Sequence, residues 1–273
     1  MGRSIATIKD VAREAGVSIS TFPSVANGNK PVSEDLAAPV PDAVQPLTFY
    51  PHHIARLLHA NRSHTLAPLP PDITALPPFG SGLRIGLFGG SFNPIHEGHR
   101  LVAEQCLKRL DLDAVWLLVS PGNPLKDHSE LAPLETRVRA ARALTANPRI
   151  YATGVEAAHR FHYTVDTLDW LVAACPDTRF VWIMGADNLS QFDRWERWQD
   201  IAALLPIAVY ARPGSTFRAT VSKAAIALKK RRLPEEAAET LASSEPPAWV
   251  YLHGITSPQS SSAIRARRKA SAD

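Results

Sequence analysis

From residue 83 onward, short apolar runs alternate with stripes of helical spacing. Leu83, Ile85, Leu87 and Phe88 predict a first strand that runs into Gly89 and Gly90. Over residues 98–111, Leu101, Val102, Cys106, Leu107 and Leu110 recur every three or four positions and predict a helix. The run AVWLLVS at 114–120 predicts a buried strand, 133–146 a helix with Pro133 near its start, and 149–154 a third strand. A helix at 164–174, strands at 180–185 and 207–211, and a helical stretch at 221–241 broken at Pro234 come next. Residues 249–253 read as the last strand and 262–268 as the last helix. Strand and helix in strict alternation predict an α/β chain whose mostly parallel sheet carries helices on both faces.

Ahead of residue 83 the pattern changes. Residues 67–82 (APLPPDITALPPFGSG) hold five prolines and end in glycines, the composition of an extended linker. The expected organisation is therefore a small, mainly α-helical segment at 1–66, a linker at 67–82, and the α/β domain at 83–273. Charge sharpens this division. Residues 1–82 carry six Lys/Arg against six Asp/Glu, so the whole net excess of +4 lies in the α/β part, where it favours an anionic substrate. No apolar run approaches the ~20 residues of a membrane span, and no basic start followed by an apolar core marks a signal peptide. Cys106 and Cys175 sit in apolar helical patterns without metal-ligand spacing and read as buried thiols of a reduced, cytoplasmic protein.

Chemistry in such a fold collects beyond the carboxyl ends of the strands. The first of them runs into GGSFNPIHEGH, where Gly89 and Gly90 permit close backbone approach. His96 and His99, three residues apart, share a face of the starting helix. That helix end offers free N–H groups and a positive dipole, so the constellation suits a polyphosphate. The whole string resembles the His-x-Gly-His motif of the nucleotidyltransferase superfamily, and its GSFNP lead-in resembles the bacterial nicotinate-nucleotide adenylyltransferase family. The resemblance implies a Rossmann-like fold, His96 and His99 as catalytic residues, and Gly89, Gly90, Ser91 and Phe92 at the ATP phosphates. It also makes Lys126, in the loop after the second strand, a partner for those phosphates, and leaves Arg137 as a helix-positioning charge.

Further strings obey the same rule. In FHYTVDTLDWL, the Thr164 hydroxyl is suited to cap a helix; the family resemblance adds a place in the nicotinate pocket. In WIMGADNLSQFDRWERW, Gly185 allows a tight exit from its strand, and Asp187 either accepts from ribose hydroxyls or caps residues 189–192. Trp195 and Trp198 are spaced to share a helix face; the resemblance assigns ring stacking to Trp195, and Trp198 is left to packing. Arg212 falls in an RPG turn that the resemblance sets against the mononucleotide phosphate. Near the C-terminus, SPQSSSAIRARR resembles the family's Ser-Ser-Thr-x-Ile-Arg motif with Ser262 in the threonine position. Hydroxyls at a helix start with an arginine one turn on form a second anion site, so Ser261, Ser262 and Arg265 are expected at the β- and γ-phosphates. The basic run 229–232 reads as a solvated helix face.

The opening segment has a different kinship. IKDVAREAGVSISTFPSVANGNKPVSEDL resembles the helix-turn-helix headpiece of lac-repressor family regulators, and residues 51–73 resemble that family's hinge. Pro23 interrupts the would-be recognition helix at a cost of about 3 kcal/mol. Ser24 stands where arginine is usual, and Pro39, Pro41 and Pro46 interrupt the further helix expected after it. The sensor core that pairs half-sites is missing. The segment is read as degenerate or mis-started, and nucleic acid is not the expected partner.

The chain shows no GxSxG elbow and no carboxylate cluster suited to a metal cage. Within the resemblance, the expected reaction is direct adenylyl transfer from ATP to nicotinate mononucleotide, with Mg²⁺ carried in by the ATP phosphates. The alternatives are another acceptor of the same superfamily, nicotinamide mononucleotide or pantetheine phosphate, and a DNA-binding regulator acting through residues 7–65.

Overall fold

The computed structural model describes residues 72–122, 131–213 and 216–270. The headpiece-like segment and Lys126 lie outside the described residues. Seven parallel strands are present among those described: β1 (Arg84–Gly90), β2 (Ala114–Val119), β3 (Ile150–Thr153), β4 (Arg179–Gly185), β5 (Ile207–Tyr210), β6 (Arg232–Leu233) and β7 (Trp249–Leu252). Their order is β3-β2-β1-β4-β5-β7-β6. Parallel strands covered on both faces read as unbroken apolar runs, and every residue of β2 and β5 is buried.

Helices α1 (Glu97–Arg109) and α2 (Leu134–Leu144) cover one face. Their Val102, Cys106, Val138 and Ala141 join Phe88, Leu117 and Ile183 from the strands in one core cluster. Period-two alternation sends Leu87, Trp116 and Trp182 to the other side, where all three are buried. There α4 (Thr164–Ala174) and α6 (Trp198–Leu204) pack on each other, with the short α3 (Val155–Ala158) and α5 (Ala186–Leu189) at the strand ends. Next come α7 (Thr216–Thr220) and α8 (Lys223–Ala227), and α9 (Ser261–Ala270) ends the described chain. Residues 72–82 form no regular element but are sewn to the domain. The Ile73 carbonyl accepts from Gly154 N–H (2.7 Å), and the Gly82 N–H donates to the Asp177 carbonyl (2.8 Å).

Three expectations need correction. The stretch 221–241 is not one broken helix: after α8 it forms a 3-10 turn, the edge strand β6 and a 3-10 segment over Glu235–Ser243. The open edge of β7 accounts for this, because Arg232 and Leu233 pair with Trp249 and Val250. The Arg232 guanidinium lies 5.1 Å over the Trp249 ring, so the basic run is a turn and a strand start rather than a helix face. Trp195 and Trp198 do not share a helix face either. Trp195 is extended (ψ 145°) after a 3-10 turn, and α6 begins at Trp198 behind Arg197 in the left-handed region (φ 49°). Nor does the Thr164 hydroxyl cap α4, since Tyr163 holds the N-cap position and no side chain accepts there.

Arg137 does more than position a helix. It is 3% exposed, and its guanidinium donates to the carbonyls of Ala132 (2.8 Å), Ser91 (2.8 Å) and Ser120 (2.6 Å). It thereby ties the loop after β1 to the loop after β2. Arg137→Met would strand these carbonyls in the interior at about 3 kcal/mol in all. The melting temperature of the full chain should fall by roughly 6–12 °C; an unchanged melt would remove Arg137 from this role.

Candidate active site

The strand order reverses at β1, which pairs with both β2 and β4, and this is where an open parallel sheet leaves a crevice. A cleft of about 880 Å³ opens there, beyond the carboxyl ends of β1 and β4. Gly89, Gly90 and Gly185 form its floor with the Trp182 ring. A Cβ on Gly89 would collide with the Trp182 ring, so the glycine is what lets strand and indole meet.

His96 and His99 stand at one wall, and α1 holds them by a capping box. His96 is the N-cap residue, and its Nδ1 accepts from the Gly98 N–H (3.1 Å). The His96 N–H in turn donates to His99 Nδ1 (3.2 Å). An accepting Nδ1 carries no proton, so each neutral ring bears its hydrogen on Nε2. The His96 Nε2 is buried and has no hydrogen-bond partner among the described residues. The rings lie 3.8 Å apart, and the edge of Phe92 supports His99 at 5.1 Å. Phe92 adopts φ 44°, a left-handed conformation that a bulky residue keeps only when its surroundings impose it. Its side chain is 2% exposed, so its part in the site is to support the imidazole.

Burial, then the charge of Arg212, lowers the His96 pKa to about 4. Burial, then His96 and Arg212, lowers that of His99 to about 2. Both rings are therefore neutral donors at pH 7.

The start of α9 lines the same cleft. Ser260 caps it, its Oγ accepting from the Ala263 N–H (3.2 Å). Arg265 Nη1 donates to the Asn93 carbonyl (2.6 Å), Ser261 Oγ to the Pro94 carbonyl (3.0 Å), and the Glu97 N–H to Gln259 Oε1 (3.2 Å). The Ser261 hydroxyl hydrogen is thus committed to the loop that leads into the histidines, and Ser262 is exposed at the cleft rim. The imidazole pair and the serine–arginine turn line one cleft, and the turn is hydrogen-bonded to the loop that leads into the histidines.

Trp195 meets Trp182 (6.3 Å) and Phe192 (5.4 Å) edge-on and lines the cleft, as do Tyr163 and Thr164. Asp187 lies within the first turn of α5 and pairs with Arg212, Oδ1 to Nε 3.6 Å, so it does not cap residues 189–192. Sequence reasoning passed over Asn93, Trp182 and Glu156, all of which line the cleft. Asn93 had a signal in the GSFNP string; Glu156 and Trp182 had none, because their significance comes from what packs on them.

Among the described residues, no three His, Cys, Asp or Glu side chains come together as a metal cage. The polar groups along the phosphate end are N–H, O–H and guanidinium donors, which suit phosphate oxygens rather than a hard cation. A Mg²⁺ ion fits here only through the oxygens of the nucleotide that brings it.

An open parallel sheet with paired imidazole donors and a serine–arginine turn about one switch-point cleft defines a nucleotidyltransferase-type α/β protein. Comparison with known proteins agrees. The cytidylyltransferase-like family model matches residues 87–267, and the model for bacterial regulatory proteins of the lacI family matches residues 7–52. A probable nicotinate-nucleotide adenylyltransferase of Methylorubrum extorquens is 55% identical over 185 residues, 68% of this chain and 100% of that protein. One from Brucella abortus is 51% identical over 183 residues, 67% of this chain and 94% of its own length. The fold is also that of the Plasmodium falciparum nicotinic acid mononucleotide adenylyltransferase complexed with NaAD. Its TM-score is 0.51 at 16% identity, covering 67% of this chain and 83% of that one. The chain belongs to the cytidylyltransferase-like family and, within it, to the nicotinate-nucleotide adenylyltransferases.

With the hydrogen on Nε2, one substitution isolates the donor. His96→Asn keeps a good N-cap acceptor and deletes the Nε2–H donor. Turnover should fall about 100- to 1000-fold, the loss typical of one preorganised donor, with the melting temperature nearly unchanged. Comparable turnover in a folded His96→Asn protein would count against a donor role.

Proposed function

We propose that the chain transfers the adenylyl group of ATP to nicotinate mononucleotide, yielding nicotinate adenine dinucleotide (deamido-NAD) and pyrophosphate, in the biosynthesis of NAD. A phosphate oxygen of the mononucleotide attacks the α-phosphorus in line. The bond from that phosphorus to the α–β bridging oxygen breaks, and its electron pair leaves with pyrophosphate. No residue forms a covalent intermediate; the protein aligns the two anions and stabilises the charge that moves onto the leaving group.

The Nε2–H donors of His96 and His99 and the N-terminus of α1 act on the ATP phosphates, with the Gly89–Phe92 turn fitted against them. Lys126, Ser261, Ser262 and Arg265 serve the departing pyrophosphate. Gly185 and Asp187 take the ribose, Arg212 the mononucleotide phosphate, Thr164 the acceptor pocket and Trp195 the stacked ring. Mg²⁺, carried by the phosphates, supplies further charge neutralisation. The observation that carries this reading is the convergence of the imidazole pair and the α9 start on one cleft. Two free, buried thiols fit a reducing cytoplasm. The segment 7–65, with Pro23 in its recognition stretch and no dimerising core, is read as serving no DNA.

The test supplies the full chain with ATP, Mg²⁺ and one acceptor at a time: nicotinate mononucleotide, nicotinamide mononucleotide or pantetheine phosphate. Pyrophosphate and dinucleotide should appear in step, with the highest kcat/KM for nicotinate mononucleotide. Turnover confined to pantetheine phosphate, or to neither pyridine nucleotide, would overturn the assignment.

A further inference from the structure

Among the described residues, Glu156 is the only buried carboxyl side chain, 9% exposed, and it lines the cleft without a part in the adenylyl transfer proposed for the chain. It sits in α3, just past the end of β3. Its one side-chain hydrogen bond comes from Thr167 Oγ1 at 3.4 Å, near the limit of such a bond. Among the described residues, no cation acts on it. Burial pushes its pKa up to about 7, with only Thr167 opposing. His159, Arg160, His162 and Tyr163 on its own loop neither bond nor shift it, and the same holds for Asp166 and Asp169 on α4. Arg194 and Glu196 on the facing loop are equally without effect, and the strand packed on α3, β2, holds no titratable group.

A buried carboxyl without a positive partner is costly, and in a ligand cleft it marks a counter-charge still to come. Its surroundings say of what kind. Phe161, Tyr163, Trp182 and Trp195 line the same cleft, and aromatic faces attract cations. Aromatic walls plus a lone carboxyl suit a flat ring with a permanent positive charge. A pyridine ring joined to ribose through its nitrogen is such a cation. This step rests on nicotinate mononucleotide being the acceptor.

We propose that Glu156 is a specificity-determining residue whose carboxylate, ionised in the complex, is the counter-charge for the quaternary pyridinium nitrogen of the acceptor ring. Binding then expels the proton that the empty site holds. A carboxyl whose pKa falls on binding makes affinity for the charged ring rise with pH and level off above about 7. A ring with the same phosphate and ribose but no charge lacks this gain.

The experiment is titration calorimetry on the full chain, in two buffers of different protonation enthalpy, with nicotinate mononucleotide and with its 1,4-dihydro form. The two ligands share the phosphate end, so proton exchange at His96 and His99 cancels in their difference. Near pH 7 the charged ring should release more protons than the neutral one, as expected for a group whose pKa is pushed up to about 7. It should also bind roughly tenfold tighter at pH 8. In Glu156→Gln, checked by its melt, both differences should vanish. Equal proton release and equal affinity in the wild type would overturn the proposal without needing the variant, as would a preference that survives in Glu156→Gln. If neither mononucleotide binds the wild type, the acceptor assignment itself fails, and this inference with it.

Discussion

The loop between β1 and α1 has no regular structure, yet side chains from distant elements hold its backbone carbonyls. Arg137 of α2 takes Ser91, Arg265 of α9 takes Asn93, and Ser261 takes Pro94. The Asn93 side chain in turn accepts from the Ala132 N–H (3.2 Å). Charge-assisted bonds from a guanidinium to carbonyls are among the stronger ones available in an interior. This stitching fixes where α1 begins, hence where His96 caps it and where both Nε2 atoms sit. It also brings the start of the last helix to the loop after the first strand, so these two parts of the cleft lining are built as one piece.

Electrostatics in this cleft run against a simple positive pocket. The imidazoles are held neutral by burial and by Arg212 nearby, so they offer fixed dipoles to a ligand instead of cations. Neutral donors whose Nδ1 is already occupied by a backbone N–H need no reorganisation when charge shifts toward the leaving group. The cost is an unsatisfied buried Nε2 in the empty site. Polar groups left unpaired in the resting protein and a carboxyl without a cation are two forms of one design: stability given up where a ligand completes the bonding.

How much of this the sequence carried depends on what kind of force decides each feature. Parallel strands declare themselves because burial on both faces demands unbroken apolar runs, so β2 and β5 fell within a residue of expectation. Helix α4 begins and ends as its stripe predicts. Failure came where a neighbour overrules local pattern. The alanines and leucine of 221–241 have helical spacing, but the free edge of β7 recruits Arg232 and Leu233 into a strand. The motif residues His96, His99, Ser261 and Arg265 were legible as residue types, and their convergence is a matter of topology, of the chain returning across the sheet. Arg137 read only as a helix-positioning charge because its partners are carbonyls, which no sequence pattern displays. Glu156 was invisible for a related reason: burial and a missing cation are properties of the packed cleft.

The imidazole wall and the α9 wall of the cleft are proposed to grip one triphosphate. A crystal structure of the full chain with Mg²⁺ and a non-hydrolysable ATP analogue tests this. Phosphate oxygens should lie within about 3 Å of an imidazole Nε2 and also of the Arg265 guanidinium or the α9 N-terminus. A nucleotide whose phosphates touch only one of these walls, or lie outside the cleft, would contradict the proposal.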